Sequence, residues 1–285
     1  MIGRLLLAAV WVLAAGATAA AERPAKDYFS LIDTPSREAA AAIGSYSRGC
    51  LAGAVELAQD GPHWQAMRLS RNRRWGHPLL ISFVEELAAK APGLGLSGVL
   101  VGDLSQPRGG PMSFGHTSHQ IGLDVDFWFR QMPQERLSPE AREDYAFRTV
   151  LNEEKTDIDP DRLTDGFAGL LREAARDRRV ARIFVHPVIK RALCAFEAPD
   201  GERAWLSKIR PWYGHDAHFH VRLNCPLSAR ACRGQRPPPA GDGCGAPLDY
   251  WFTPAPYTPD PDAKPKAELT LARLPERCRA LLSAP

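Results

Sequence analysis

After its first twenty residues, the chain lacks any apolar run close to the roughly 20 residues that a membrane-spanning helix needs, so we expect no transmembrane segment. It also lacks a charge imbalance. Its 36 basic and 33 acidic residues leave a net charge of +3, which does not indicate nucleic acid as a partner. The stretches Gly109-Gly110 and 241–243 lack the strand and helix context of a phosphate loop, so we interpret them as turns and expect no nucleotide site.

The N-terminus has the pattern of a secretory signal. Arg4 supplies the initial positive charge, residues 5–15 form an apolar run, and small residues at 17–19 precede a cleavage site expected near residues 19–21. We predict that residues 1–20 are a signal peptide and that residues 22–285 form a single domain. An apolar content of 45% suits a globular chain with a proper core.

Cysteine usage agrees with an exported protein. The six cysteines form an even set without a Cys-x-x-Cys pair, which favours three disulfides over zinc ligands. Six cysteines allow about 15 pairings, and the spacing selects none of them, although Cys225 and Cys232 are near enough in the chain to close a local loop. The remaining cysteines are Cys50, Cys194, Cys244 and Cys278.

Hydrophobic periodicity predicts an alternation of helices and strands. Part of the segment from Ile43 to Asp60 resembles a helix, and a clearer one begins at His77-Pro78, where Pro78 suits a first-turn position. We further predict strands at 97–103, 122–129, 180–185 and 218–223, and helices at 165–177, 187–194 and 269–282. No internal repeat or second-domain boundary is recognisable.

Two of these strands carry polar residues on a single face. In a strand, alternate side chains point to the same side, so Asp124 and Asp126 share one face, and His218, His220 and Arg222 share another. Two histidines and one carboxylate suit a catalytic zinc ion, which takes three protein ligands and keeps a fourth position for water or substrate. The candidate ligands are His119, Asp126 and His220.

The residues around these positions resemble a known family. The segment from Gly115 to Asp126 resembles the His-x6-Asp signature of the lysostaphin and D-alanyl-D-alanine peptidase superfamily, and His218-Phe-His220 resembles its later His-x-His element. The chain is similar in particular to the penicillin-insensitive murein endopeptidases, over nearly all of its predicted mature length. The additional segments that carry this resemblance are 70–78, 182–185, 212–215 and 241–245.

The resemblance implies roles for individual residues. It implies zinc ligation by His119, Asp126 and His220, and it makes His218 and His215 the histidines that exchange a proton or stabilise the transition state. A second, weaker metal position would use His116 with Glu154 and Asp157. It also implies the disulfides Cys50–Cys278, Cys194–Cys244 and Cys225–Cys232. Asp124 is expected to support a ligand rather than bind the metal.

The implied function is zinc-dependent hydrolysis of D-alanyl-diaminopimelate cross-links in peptidoglycan, in the periplasm. Two alternatives stay open: a zinc carboxypeptidase or dipeptidase that trims stem peptides, and a non-catalytic murein-binding module. Thr117 and Asp124 depart from the dipeptidase pattern. The sequence leaves the oligomeric state open. The expected fold is α+β, with a small antiparallel sheet that carries the zinc site, flanked by helices and disulfide-tied loops.

A basic cluster precedes the predicted helix that begins at Pro78. Arg71, Arg73 and Arg74 could hold substrate carboxylates, but a solvated face or internal ion pairs would explain the cluster equally well.

Overall fold

A computed structural model describes residues 22–196, 201–264 and 267–285. The predicted signal segment, residues 1–20, lies outside the described residues. Within these ranges, no helix combines the length and the apolar character required to cross a membrane.

Most strands in the described ranges are short, and the two longest are six residues each. They are β1 (Ala41–Ser45), β2 (Arg48–Ala52), β3 (Val55–Glu56), β4 (Asp60–Gly61), β5 (Trp64–Ala66), β6 (Trp75–Gly76), β7 (Val99–Val101), β8 (Asp124–Trp128), β9 (Val180–Val185), β10 (Ile209–Pro211) and β11 (His218–Leu223).

The α-helices of the same ranges are α1 (Lys26–Phe29), α2 (Pro78–Lys90), α3 (Pro139–Asp144), α4 (Asp165–Arg176), α5 (Pro187–Ala195), α6 (Ala246–Asp249) and α7 (Glu276–Leu281). Short 3-10 helices lie at Leu69–Arg71, Pro92–Leu94, Ala204–Lys208, Tyr250–Phe252, Ala255–Tyr257 and Leu271–Arg273. The helices predicted to begin at Pro78, Asp165 and Pro187 are thus confirmed, as are the strands around Asp126, Ile183 and His220.

The central sheet corrects the expectation of a small antiparallel sheet, although the α+β class is confirmed. It has seven strands in the order β10-β9-β11-β8-β7-β5-β4 and is mixed, because β10 runs parallel to β9 and β5 runs parallel to β7. A parallel pair needs a long crossover, usually a helix. Here α5 lies between β9 and β10, and α2 lies between β5 and β7.

One face of the central sheet carries the main core. Val125 and Phe127 of β8 and Phe219 of β11 are fully buried, and the Phe219 ring stacks on Phe127 at 5.2 Å between centroids. Apolar residues of α2 and α4, including Phe83, belong to the same buried cluster. Because side chains alternate along a strand, the opposite face of β8 and β11 is left for polar residues.

Two of the predicted helices were wrong in detail. The segment 43–60, expected to be helical in part, instead contains most of the β1–β2 hairpin, then β3 and the start of β4, and Gly44 at φ +83° and Gly53 at φ +54° adopt a backbone region that disfavours helix. The C-terminal helix is interrupted, because Pro275 separates the 3-10 turn Leu271–Arg273 from α7.

All three disulfides connect the pairs that the family resemblance implied: Cys50–Cys278, Cys194–Cys244 and Cys225–Cys232. The first of these joins β2 to α7. It lies within a second buried cluster, separate from the main core, which packs the two ends of the described chain together. The disulfide and this cluster therefore hold α7 on the β1–β2 hairpin.

Candidate metal centre

The strands β8 and β11 bring polar residues together on the face opposite the helices. They pair antiparallel, with His220 opposite Asp126, Arg222 opposite Asp124, and His218 opposite Trp128. His220, Asp124 and Asp126 are each at least 95% buried. The predicted sharing of faces is therefore confirmed, and it creates a polar cluster inside the protein.

His119 reaches this cluster from an irregular segment before β8. Its backbone has φ +64°, a left-handed conformation that is uncommon for a residue with a side chain. The His119 N–H donates to Asp124 Oδ2 at 3.0 Å, and the Ser105 hydroxyl donates to the His119 carbonyl at 2.7 Å. These two contacts hold the turn that directs the fully buried imidazole toward β11.

Hydrogen bonds indicate the tautomers of the His119 and His220 imidazoles. His119 Nδ1 lies 2.6 Å from the carbonyl of Leu104, which can only accept, so Nδ1 carries the hydrogen and Nε2 has a free lone pair. His220 Nε2 lies 2.8 Å from Asp124 Oδ1, so Nδ1 of this ring has the lone pair. Asp124 thus orients the ring of His220 and the backbone of His119, which is the role of a carboxylate that supports metal ligands.

The two free lone pairs and Asp126 form a compact triangle. His119 Nε2 and His220 Nδ1 are 3.3 Å apart, and they lie 3.4 Å and 3.5 Å from Asp126 Oδ1. Within the described ranges, Asp126 Oδ1 is buried without a hydrogen-bond partner. Zinc bonds of about 2.0–2.2 Å in a tetrahedron imply ligand atoms about 3.3–3.6 Å apart. The three donor atoms fit a zinc ion.

A second set of donor atoms shares two of these residues. His116, His119 and Asp126 offer atoms that all lie within 4.8 Å of one another. However, His116 Nε2 is 3.1 Å from Asp103 Oδ2, a carboxylate outside the set, whereas the near neighbours of His220 Nδ1 are the two other donor atoms of the triangle. The geometry therefore favours His220 over His116 as the third ligand, and leaves His116 beside the site.

The charge state of the cluster suits cation binding. Burial alone would raise the pKa of Asp126, but the imidazoles of His119, His218 and His116 outweigh it and hold the pKa well below its usual range. Burial lowers the pKa of His220 to about 3, so this ring is neutral at pH 7. The Asp126 charge overcomes burial and raises the pKa of His119, so a proton and a cation compete for Nε2.

The predicted catalytic histidines lie beside the triangle. His218 Nε2 is 3.8 Å from Asp126 Oδ2, on the opposite oxygen from the one that faces His119 and His220. The His215 ring is 4.8 Å from the His218 ring, and His215 Nδ1 lies 2.5 Å from the carbonyl of Tyr213. Burial lowers the pKa of both rings, that of His215 to about 4, so both are neutral at pH 7.

A cavity of about 330 Å³ opens onto these groups. Asp126, His116 and His218 line it, together with Arg71, Phe147 and other residues. The structure thus provides space for a substrate group next to both the donor triangle and His218, which is what a hydrolytic site requires.

The basic cluster before α2 has mixed roles. Arg73 Nη1 contacts Asp103 at 2.9 Å and Arg74 Nη2 contacts Glu56 at 2.6 Å, so these two arginines form internal ion pairs. Arg71 also contacts Asp103, at 3.1 Å, but its side chain is 34% exposed and lines the cavity. Only Arg71 of the three is positioned to meet a substrate.

The structure does not bring together the residues of the second metal position. Glu154 and Asp157 lie in an exposed segment, and the group that contains His116 includes neither of them. Asp103 was missed at the level of sequence, although it follows the buried strand β7 directly. Its partners His116, Arg73 and Arg71 outweigh burial and lower its pKa to about 2.

The chain is similar to known proteins over most of its length. A family model described as penicillin-insensitive murein endopeptidase matches residues 42–283. Proteins of that name from Klebsiella pneumoniae subsp. pneumoniae and Salmonella typhi are 42% and 41% identical over 252 and 251 residues, which cover 88% of this chain and 89% of each relative. One from Haemophilus influenzae is 41% identical over 86% of this chain and 84% of its own length. The chain therefore belongs to the penicillin-insensitive murein endopeptidase family.

Proposed function

We propose that this chain is a zinc-dependent murein endopeptidase that hydrolyses D-alanyl-meso-diaminopimelate cross-links of peptidoglycan. The observation that carries the proposal is the triangle of His119 Nε2, Asp126 Oδ1 and His220 Nδ1, with sides of 3.3–3.5 Å, in a member of this family. We also propose that residues 1–20 direct export to the periplasm, where this substrate lies, and that residues 22–285 form a single metallopeptidase domain.

His119, Asp126 and His220 would hold the zinc ion. When bound in such a site, zinc lowers the pKa of a water molecule toward neutrality and polarises the carbonyl that is attacked. The protein prepares for this by keeping both imidazoles in the tautomer that presents a lone pair, through the Leu104 carbonyl for His119 and through Asp124 for His220.

His218 is the proposed proton carrier. The water oxygen bonds to the scissile carbonyl carbon as the water gives a proton to His218 Nε2, and the same proton passes to the leaving amine nitrogen as the peptide C–N bond breaks. The ring suits this role because burial keeps it neutral beforehand, while the Asp126 carboxylate, 3.8 Å away, stabilises the imidazolium that forms.

His215 supports the same transfer. The charge of a protonated His218 lowers the pKa of His215 further, in addition to burial, so the two rings do not hold a proton at the same time. His215 is therefore a neutral neighbour during the reaction, and its Nε2, opposite the nitrogen that bonds to the Tyr213 carbonyl, can accept a hydrogen bond from the substrate.

The test is to digest purified, cross-linked peptidoglycan with the mature protein, with and without a chelator, and to resolve the products by liquid chromatography and mass spectrometry. We expect muropeptide dimers to become monomers, with the conversion abolished by the chelator and restored by zinc.

Other outcomes would overturn the proposal. Stem peptides that shorten while the dimers stay intact would indicate a carboxypeptidase, and unchanged material would indicate a binding module. Conversion that survives complete removal of metal would exclude the zinc mechanism.

A further inference from the structure

A large groove lies next to the candidate metal centre. Its volume is about 780 Å³, within the range of about 300–1,000 Å³ that is typical of sites for small ligands. One wall is the turn of the β1–β2 hairpin around Gly44 and Arg48, another is the segment 111–120, and the third is the C-terminal segment 267–275, with Arg233 nearby.

The charged residues of the groove are mostly cationic. Arg48, Arg233 and Arg273 line it and are exposed, and within the described ranges none of the three forms an ion pair with a carboxylate. Lys26 also lines the groove, but Glu268 neutralises it at 2.8 Å. Three guanidinium groups are therefore available to a ligand, and guanidinium groups bind carboxylates with two parallel hydrogen bonds.

His116 connects the groove to the candidate catalytic site. It lines both the groove and the 330 Å³ cavity that contains Asp126 and His218. The His116 ring lies 3.5 Å from Asp126 Oδ2. The groove and the cavity therefore share His116 as a wall, and a substrate that is cut at the donor triangle passes this residue if it also occupies the groove.

The walls of the groove are fixed in place. The Gly44 N–H donates to the Ala231 carbonyl at 2.9 Å, and the Arg233 N–H donates to the Gly44 carbonyl at 2.8 Å, next to the Cys225–Cys232 disulfide. The Cys50–Cys278 disulfide ties the hairpin to α7, and Gln120 Oε1 accepts from the Gly49 N–H at 3.1 Å. A rigid groove binds without a large ordering cost.

We propose that this groove binds one peptide arm of the cross-linked substrate, and that Arg48, Arg233 and Arg273 recognise the free carboxylates of that arm. The inference rests on the proposed function, because it assumes a murein peptide that spans the donor triangle. Stem peptides that contain diaminopimelate carry free carboxylates, and the groove is cationic in a chain whose basic and acidic residues are nearly balanced.

The experiment compares two triple variants of the full-length mature protein. The first is Arg48→Gln/Arg233→Gln/Arg273→Gln. The second, Arg37→Gln/Arg178→Gln/Arg279→Gln, removes the same charge from exposed arginines that do not line the groove. Kinetics are measured on a muropeptide dimer, and binding of an uncross-linked stem peptide, with free or amidated carboxylates, is measured by calorimetry.

For the groove variant we expect KM for the dimer to rise about tenfold with little change in kcat. The variant loses three exposed ion pairs between arginines and substrate carboxylates, and each of these contributes modestly to binding. Binding of the free-carboxylate peptide should weaken by a similar factor and lose its salt dependence. The control variant should match the wild type, and amidation of the peptide should weaken its binding to the wild type but not to the groove variant.

The two proposals can fail separately. If the wild type cleaves dimers and the groove variant has an unchanged KM, the groove assignment is wrong and the function stands. If the wild type cleaves nothing but binds the free-carboxylate peptide through these arginines, the function is wrong and the groove stands. If peptide binding weakens equally in both triple variants, the effect comes from net charge alone, and the groove assignment is wrong.

Discussion

His220 donates its Nε2 hydrogen to Asp124 Oδ1 at 2.8 Å, and this bond decides which nitrogen of the ring faces His119 and Asp126. Asp124 also accepts from Arg222 Nε at 2.7 Å and from the His119 N–H at 3.0 Å. One carboxylate thus sets the orientation of two proposed ligands. Burial alone would raise its pKa, but Arg222 and His220 hold the pKa well below the usual range and keep it ionised.

Asp124→Asn should therefore weaken zinc binding without removing a ligand. The amide oxygen of the variant would be a weaker acceptor for His220 than a carboxylate oxygen. If that oxygen faces His220, the NH₂ group of the amide faces the backbone N–H of His119 and cannot accept its hydrogen bond. We expect zinc affinity to fall by about 10–100-fold, as measured by competition with a chelator. Asp165→Asn, in the exposed first turn of α4, makes the same chemical change as a control. Unchanged affinity in a folded Asp124→Asn protein would remove the orienting role.

His218→Ala should separate metal binding from catalysis. Because His218 is proposed to carry a proton rather than to bind zinc, the variant should keep its zinc by elemental analysis and lose kcat by about 10²–10⁴-fold. His119→Ala and His220→Ala should lose the metal itself. His63→Ala, a histidine in the turn between β4 and β5, is the matched control and should behave as the wild type. Normal activity in His218→Ala would eliminate the proposed proton carrier.

The strand residues of the site could be predicted from the sequence, because the information is local. A period of two fixes that His218 and His220 share a face, and that Asp124 and Asp126 do too, whatever the rest of the chain does. The same period places Val125 and Phe219 on the other face of β8 and β11, where both residues are buried.

The remaining parts of the site depend on contacts between distant segments. Asp103 joins the cluster only because His116 and Arg73 approach it from two other loops, at 3.1 Å and 2.9 Å. The prediction of a partly helical segment within 43–60 is wrong for a similar reason. A Cβ on Gly49 would lie 2.2 Å from the Ile43 carbonyl oxygen of the paired strand and 2.4 Å from Ile121, so the glycine is required by contacts that form only once the chain has folded.

The disulfides should contribute unequally to stability. In the chain-entropy description, a cross-link stabilises more when it closes a longer loop. The separations are 228 residues for Cys50–Cys278 and 7 residues for Cys225–Cys232. We expect Cys50→Ala/Cys278→Ala to lower the free energy of unfolding by about 5 kcal/mol, and Cys225→Ala/Cys232→Ala by about 2.5 kcal/mol. Denaturant unfolding measures both, and equal losses would contradict the entropic account.

A buried lysine should make stability depend on pH in an unusual direction. Lys190 of α5 is fully buried, and its Nζ donates to the carbonyls of Leu206 at 2.8 Å and Asp242 at 2.6 Å. Burial lowers its pKa from 10.5 to about 8. Between these two values the unfolded chain holds a proton that the folded protein has released, so the free energy of unfolding rises with pH.

The comparison that isolates this effect is the wild type against Lys190→Met, which keeps the length of the side chain. The difference in free energy of unfolding between them should be flat from pH 6 to about 7. It should then climb in favour of the wild type by about 1.4 kcal/mol per pH unit above the folded pKa of about 8, up to 10.5. The flat region serves as the internal control, because both proteins carry the same other titrating groups. A difference that stays constant up to pH 10 would mean that the two carbonyls hold the ammonium charged, and that hydrogen bonding outweighs the loss of solvation at this site.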